Sequence, residues 1–153
     1  MTKADAPTAG AFVGREHQLP VRVYYEDTDF TGLVYHASYV RFFERGRTDG
    51  LRLMGVGHTE LLAAADPCAF AVTRITIEFR SPARIDDALV VRTRFKAVRG
   101  PRLFISQAIT SGEVAIASAE VEAACIRPGG GVRRPPPGLA THLAPWLSEA
   151  QSS

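Results

Sequence analysis

The spacing of apolar positions along the chain changes period twice. From Pro20 to Glu26 the side chains alternate. Val21, Val23 and Tyr25 fall on one side and Arg22, Tyr24 and Glu26 on the other, which predicts a strand with one buried face. From about His36 to Met54 the period lengthens. Tyr39, Phe43, Gly46, Gly50 and Met54, spaced by three or four, make one stripe, and Arg41, Arg45, Thr48 and Arg52 make the opposing one. That spacing predicts a long amphipathic helix. Each glycine costs about 1 kcal/mol against alanine inside a helix, so two on the inward stripe call for a closely packed partner. The small-residue face of the last strand, with Ala115, Ala117, Ala119, Val121 and Ala123, is the predicted partner.

A second, short helix is predicted from Thr59 to Ala65, ending before Asp66-Pro67. Alternation then returns. Phe70 to Arg80 alternates in two registers, Phe70 and Val72 first, then Ile75, Ile77 and Phe79. The slip predicts a bulge or bend near Thr73–Arg74. Leu89 to Val98, Leu103 to Thr110 and Val114 to Ile126 read as three strands joined by turns at Arg99-Gly100-Pro101-Arg102 and Ser111-Gly112. Short turns between alternating runs make an antiparallel meander. Beyond Ile126, the Gly129–Gly131 and Pro135–Pro137 runs read as linker, and Leu139 to Leu147, with the sole tryptophan Trp146, as a tail that docks as a short helix. The expected organisation is a disordered N-terminal segment (residues 1–19), one folded domain (20–127), and a linker with its tail (128–153). The fold class is α+β, an antiparallel sheet wrapped around one long central helix. Such a sheet keeps open edges, and pairing with a second copy covers one.

Composition narrows the classes of function. The chain has 153 residues, the size of one domain. It contains no apolar run near the ~20 residues that span a bilayer and no apolar leader segment, so the expected location is cytoplasmic, without membrane insertion. Formal net charge is only +2, and sixteen of the eighteen basic residues are arginine; this balance does not imply a nucleic-acid partner. Cys68 and Cys125 share no CxxC spacing and read as buried, reduced thiols. His17, His58 and His142 lack the spacing of metal ligands, so no zinc site is expected. A serine hydrolase is disfavoured, because there is no GxSxG elbow and Ser81, before Pro82, has no local base.

The densest chemistry lies between Tyr24 and Tyr39. Glu26, Asp27 and Asp29 fall within four residues, Gly32 supplies a turn, and the helix begins near Tyr35–His36. Backbone N–H groups in a helix's first turn are unpaired and carry partial positive charge, which stabilises a developing oxyanion. A carboxylate just upstream suits hydrolysis of an activated acyl group. The same acids also serve to cap and solvate the helix start, and on spacing alone that reading weighs more.

Tyr24-Tyr25-Glu26-Asp27-Thr28-Asp29, then Gly32-Leu33-Val34-Tyr35-His36-Ala37-Ser38-Tyr39 and Phe42-Phe43-Glu44-Arg45-Gly46-Arg47, resembles the opening of the YbgC-like acyl-CoA thioesterases. These are Tol–Pal-associated members of the 4-hydroxybenzoyl-CoA thioesterase family. The likeness covers roughly residues 21–127 in layout and is most specific at 23–47. It implies a hotdog fold, a homodimer or homotetramer, no cofactor, and an acyl-CoA substrate, with an acyl carrier protein as the other candidate donor. It places Asp29 as the catalytic carboxylate, base or nucleophile, and the His36 N–H where the thioester carbonyl is polarised. Tyr25 falls where a tyrosine lines the pocket, and Gly32, Val34 and Tyr35 complete the segment that meets substrate. The His36 ring either pairs with a carboxylate or only packs, and Tyr25 serves either the core or the substrate. Two positions depart from the family pattern: Phe30-Thr31 stands where small residues are usual, and Gly46 where alanine is. Arg99 and Arg102, beside a turn, are candidates for holding CoA phosphates through their planar forks, with solvated turn residues as the alternative. Glu44 reads as an ion-pair or helix residue. Two other functions compete: a hotdog dehydratase acting on hydroxyacyl thioesters, which calls for a catalytic His or Glu elsewhere, and a protein that binds acyl thioesters without cleaving them.

Overall fold

Alternation at β spacing on both sides of one long helix gives a sheet that curls around that helix. The computed structural model describes residues 7 and 9–149. Its elements are β1 (Ala11–Val13), β2 (Glu16–Arg22), α1 (His36–Leu53), α2 (His58–Ala63), β3 (Ala69–Phe79), β4 (Ala88–Arg99), β5 (Arg102–Ser111), β6 (Val114–Ile126) and α3 (Leu139–Leu143). All six strands pair antiparallel in the order β1-β2-β4-β5-β6-β3. The long helix and the four strands from β3 onward lie where the hydrophobic pattern predicts them. The β3–β6 register shifts between Val72 and Arg74, where the alternation slips.

Two expectations fail at the N-terminal end. Residues 11–13 and 16–22, placed largely in a disordered segment, form the β1–β2 hairpin, so the folded unit begins well before Pro20. Within β2 the inward positions are His17, Leu19 and Val21. The histidine makes the run read as polar, although its partner, Asp49 of α1, lies only 2.7 Å away across the core. The strand also stops at Arg22, and Tyr25–Asp27 make a 3-10 turn instead of continuing it. The first six residues of the segment expected to be disordered lie outside those described.

The helix glycines pack closely, but not on the strand expected. A Cβ built on Gly46 would sit 2.7 Å from Val91 Cγ1 and 2.9 Å from Thr93 Oγ1, and one on Gly50 would sit 2.8 Å from the Phe95 ring. All three neighbours belong to β4, not β6. Beneath Gly46, Gln107 donates from Nε2 to the Phe43 carbonyl and to Thr93 Oγ1, each at 2.9 Å, so this amide is paired under the helix. Opposite this inner face the sheet is charged, with Arg92 on Glu16 at 2.8 Å. The tail closes the far end of the core through Leu139, Leu143 and Leu147, all buried. Both cysteines are buried and unbridged, and burial, reinforced by the neighbouring Cys68, pushes the Cys125 thiol up to about 11.

Candidate active site

The acidic run does three different things. Asp27 is buried and structural. Its Oδ2 accepts the Tyr24 N–H at 2.8 Å, while its carbonyl accepts from the Tyr35 N–H and the Ser38 hydroxyl, both at 2.9 Å. One residue thus ties the end of the strand segment to the start of α1. Glu26 is exposed on the 3-10 turn. Asp29 heads a tight hairpin in which its N–H bonds the Leu33 carbonyl at 2.9 Å and its carbonyl accepts the Gly32 N–H at 3.2 Å. That turn needs a positive φ at its tip, and Gly32 supplies +83°.

The hairpin is stitched to the chain between β3 and β4. Val34 N–H bonds the Ala83 carbonyl at 2.9 Å, Ile85 N–H bonds the Gly32 carbonyl at 3.2 Å, and Ala83 N–H donates to the Tyr39 hydroxyl at 3.1 Å. The result is an open groove of about 380 Å³. Asp29 and His36 line it together with Val34, Tyr39, Phe79 and Ser81. The Asp29 carboxylate faces solvent and is oriented by Thr31, whose hydroxyl and N–H (2.8 Å) both donate to Oδ1. Those bonds, the hydroxyl first, hold its carboxyl below the ordinary carboxylate range. It is therefore an anion at neutral pH.

His36 is the first residue of α1. Among the described residues, neither its N–H nor that of Ala37 meets an acceptor, so two donors at the positive end of an 18-residue helix stay free beside the groove. The His36 ring packs edge-on against Tyr35 at 4.5 Å and meets no carboxylate among the described residues. Of the two roles open to His36, the geometry favours the backbone one. Within one chain Tyr25 stands apart from the groove. It is 83% exposed on the 3-10 turn and lines neither the core nor this groove. Val34 is buried in the groove wall, and Tyr35, which does not line the groove, is exposed.

Arg99 and Arg102 lie far from it. The groove ends on Phe79, which pairs with Ala117 near the start of β6, whereas Arg102 pairs with Ala124 near its end. Leu103 and Ile105 point into the core, so Arg102 and Phe104 alternate onto the outer face. There Arg99 pairs with Glu149 at 2.6 Å and Arg102 with Glu122 at 3.2 Å. Within one chain the structure does not bring them to Asp29. Conversely, Tyr39, Phe79 and Ser81 line the groove without having been singled out as site residues. Tyr39 reads as core in the helix stripe, and the other two become neighbours of Asp29 only through long-range pairing. Glu44 lies two turns along α1, bonded by the Thr48 hydroxyl at 2.7 Å. Among the described residues no cluster of three or more His, Cys, Asp or Glu side chains is placed to hold a metal.

A fold in which a sheet wraps one helix, with a carboxylate turn at the helix start, defines a class, and comparison with known proteins agrees. The family model of the thioesterase-like superfamily matches residues 23–150. The chain belongs to that superfamily, and its hotdog fold is the superfamily's. Within it the chain is a YbgC-like thioesterase. It is 46% identical over 110 residues to the acyl-CoA thioester hydrolase YbgC of Escherichia coli, covering 71% of this chain and 81% of that one. It is 40% identical over 107 residues to the acyl-CoA thioesterase YbgC of Haemophilus influenzae, covering 70% and 78%. Among solved structures, a probable thioesterase from Bartonella henselae superposes with a TM-score of 0.75 at 42% identity, over 79% of this chain and 99% of that one.

Proposed function

We propose that the chain hydrolyses an acyl-CoA thioester to the free acid and CoA at the Asp29 groove. The observation that carries this reading is the meeting of an ionised carboxylate, Asp29, with the start of α1 at His36 in one groove, beside the unpaired His36 and Ala37 amides. The thioester carbonyl would lie against the His36 and Ala37 amides, which stabilise the oxyanion as the tetrahedral intermediate forms. Asp29 then acts in one of two ways. As a base it takes a proton from water, and the hydroxyl adds to the carbonyl. As a nucleophile it displaces CoA thiolate to give a mixed anhydride, which water cleaves. Both routes consume one water and yield the carboxylic acid and the CoA thiol.

The groove is open on one side, and β3 beside it is a sheet edge that pairs only with β6. Val72 and Phe79 on that edge are 47% and 54% exposed, which leaves apolar surface uncovered along an unpaired strand. A homodimer joined along β3 would cover them and wall the groove. Among the described residues no helix is long and apolar enough to cross a membrane.

Release of free thiol from a panel of short, long and aromatic acyl-CoA substrates tests the reaction. The expected result is turnover of at least one member. Binding without thiol release from any of them would instead describe a protein that holds thioesters without cleaving them.

A further inference from the structure

Of the large apolar side chains described, Phe30 is the most exposed, at 100%. It stands at the tip of the Asp29 turn, next in sequence to the carboxylate. The turn is closed by the Asp29 and Gly32 N–H groups, and both Thr31 donors are spent on Asp29 Oδ1. Its base is fastened as well, since Leu33 bridges Arg84 and the Ile85 N–H bonds the Gly32 carbonyl. Bonded on both sides, the tip holds the ring out in water instead of folding it back on the core. Turn tips ordinarily carry glycine, proline or small polar residues, and a phenylalanine left in water forgoes the burial that stabilises apolar side chains. A ring fixed in that state beside the reacting carboxylate is placed to be covered by a ligand.

The part of the ligand follows from the two sides of the turn. Asp29 and Leu33 line the groove and Phe30 does not, so the ring belongs to the outer side. A thioester whose carbonyl lies against the His36 and Ala37 amides sends out two arms. The acyl arm is apolar, and Val34, Tyr39 and Phe79 give the groove an apolar lining that suits it. The sulfur arm of an acyl-CoA ends in a charged nucleotide, which stays in solvent, so this arm leaves over the outer side of the turn. Pantetheine is a flexible run of methylene groups broken by two amides. An aromatic face covers the methylenes and leaves the amides wet, and it orders an arm that is otherwise mobile. Ile85, bonded to the turn through Gly32 and 40% exposed, adds a second apolar residue beside it.

We propose that Phe30 is a specificity-determining residue, packing on the pantetheine arm of the thioester as that arm leaves the groove. This rests on the thioester substrate proposed above. Removing the ring (F30A) should raise KM for an acyl-CoA and for the matching acyl-pantetheine alike, by about fivefold, while kcat stays within about twofold. The factor should be the same for short and long acyl groups, and F30Y, which keeps the ring, should show the wild-type KM. On the S-ethyl thioester of the same acid, which has no pantetheine, F30A should match the wild type in kcat/KM. S-ethyl-CoA, a thioether that thioester hydrolysis does not cleave, should bind F30A about fivefold more weakly by calorimetry. That readout stands even if the protein releases thiol from no substrate. Unchanged affinity for S-ethyl-CoA overturns the proposal. A loss whose size follows the acyl group also overturns it, by putting the ring on the acyl arm, and an equal loss on the S-ethyl thioester does so by marking a distorted turn. Sedimentation of F30A as a monomer where the wild type is a dimer overturns it too, since the ring would then belong to the subunit contact.

Discussion

Asp29 is legible in the sequence as a candidate, but its difference from Asp27 is not. The two acids stand two positions apart with the same chemistry. Only the fold shows that one accepts the Tyr24 N–H in a buried corner while the other is presented to a groove. The reason lies in partners such as Ala83, which are distant in the chain. Thr31, one of the departures from the family pattern, gains a role: its hydroxyl is the largest influence holding the Asp29 carboxyl low. A carboxyl below its ordinary range stays ionised as pH falls, and activity that needs the anion is lost only once pH drops through that lowered value. Thr31→Val removes the hydroxyl bond and keeps the backbone one. The acid limb of kcat/KM should then move to higher pH, toward the ordinary carboxylate range. An acid limb that stays where it is in the wild type would separate Thr31 from the ionisation of Asp29.

Among the elements, period and turn chemistry carried the most information. The helix bounds, the meander and the bulge near Thr73 all follow from spacing, because each depends on near neighbours. What spacing missed depends on partners. His17 stands inward in β2 because its Nε2 meets Asp49 of α1 at 2.7 Å, and no local pattern reveals that pair. The glycine stripe announced a close approach, but alanines in β6 and small space above β4 look alike to a one-dimensional reading. The structure explains why glycine replaces the usual alanine at position 46: Val91 and Thr93 occupy the place of its Cβ. Gly46→Ala would gain about 1 kcal/mol of helix propensity against an overpacking cost of about 1–3 kcal/mol. A net loss of stability is expected in urea unfolding, and pairing it with Val91→Ala should recover part of it. A more stable single variant would show that the β4 side chains give way freely.

For the whole molecule, the exposed edge is the feature that one chain leaves unfinished. An apolar edge strand that ends at the groove invites a second copy. Val72 and Thr76 are both solvent-accessible on β3, so Val72→Lys with Thr76→Lys should leave the fold intact and place like charges across the two-fold. Sedimentation is expected to show a dimer for the wild type and a monomer for this variant, with thioesterase activity lost together with the dimer. A fully active monomer would mean that the groove is complete in one chain.

The central claim is that Asp29 performs the hydrolysis. Asp29→Asn keeps the side chain's shape and the Thr31 bonds to Oδ1, but it can neither take a proton nor attack a carbonyl. Measured as free-thiol release from the best acyl-CoA of the panel, kcat should fall by at least about a hundredfold, the low end of what a positioned acid–base group contributes. The variant's circular dichroism and unfolding midpoint should match the wild type, since Asp29 is exposed. An Asp29→Asn variant that kept most of the wild-type kcat would contradict the account and remove this carboxylate from the chemistry.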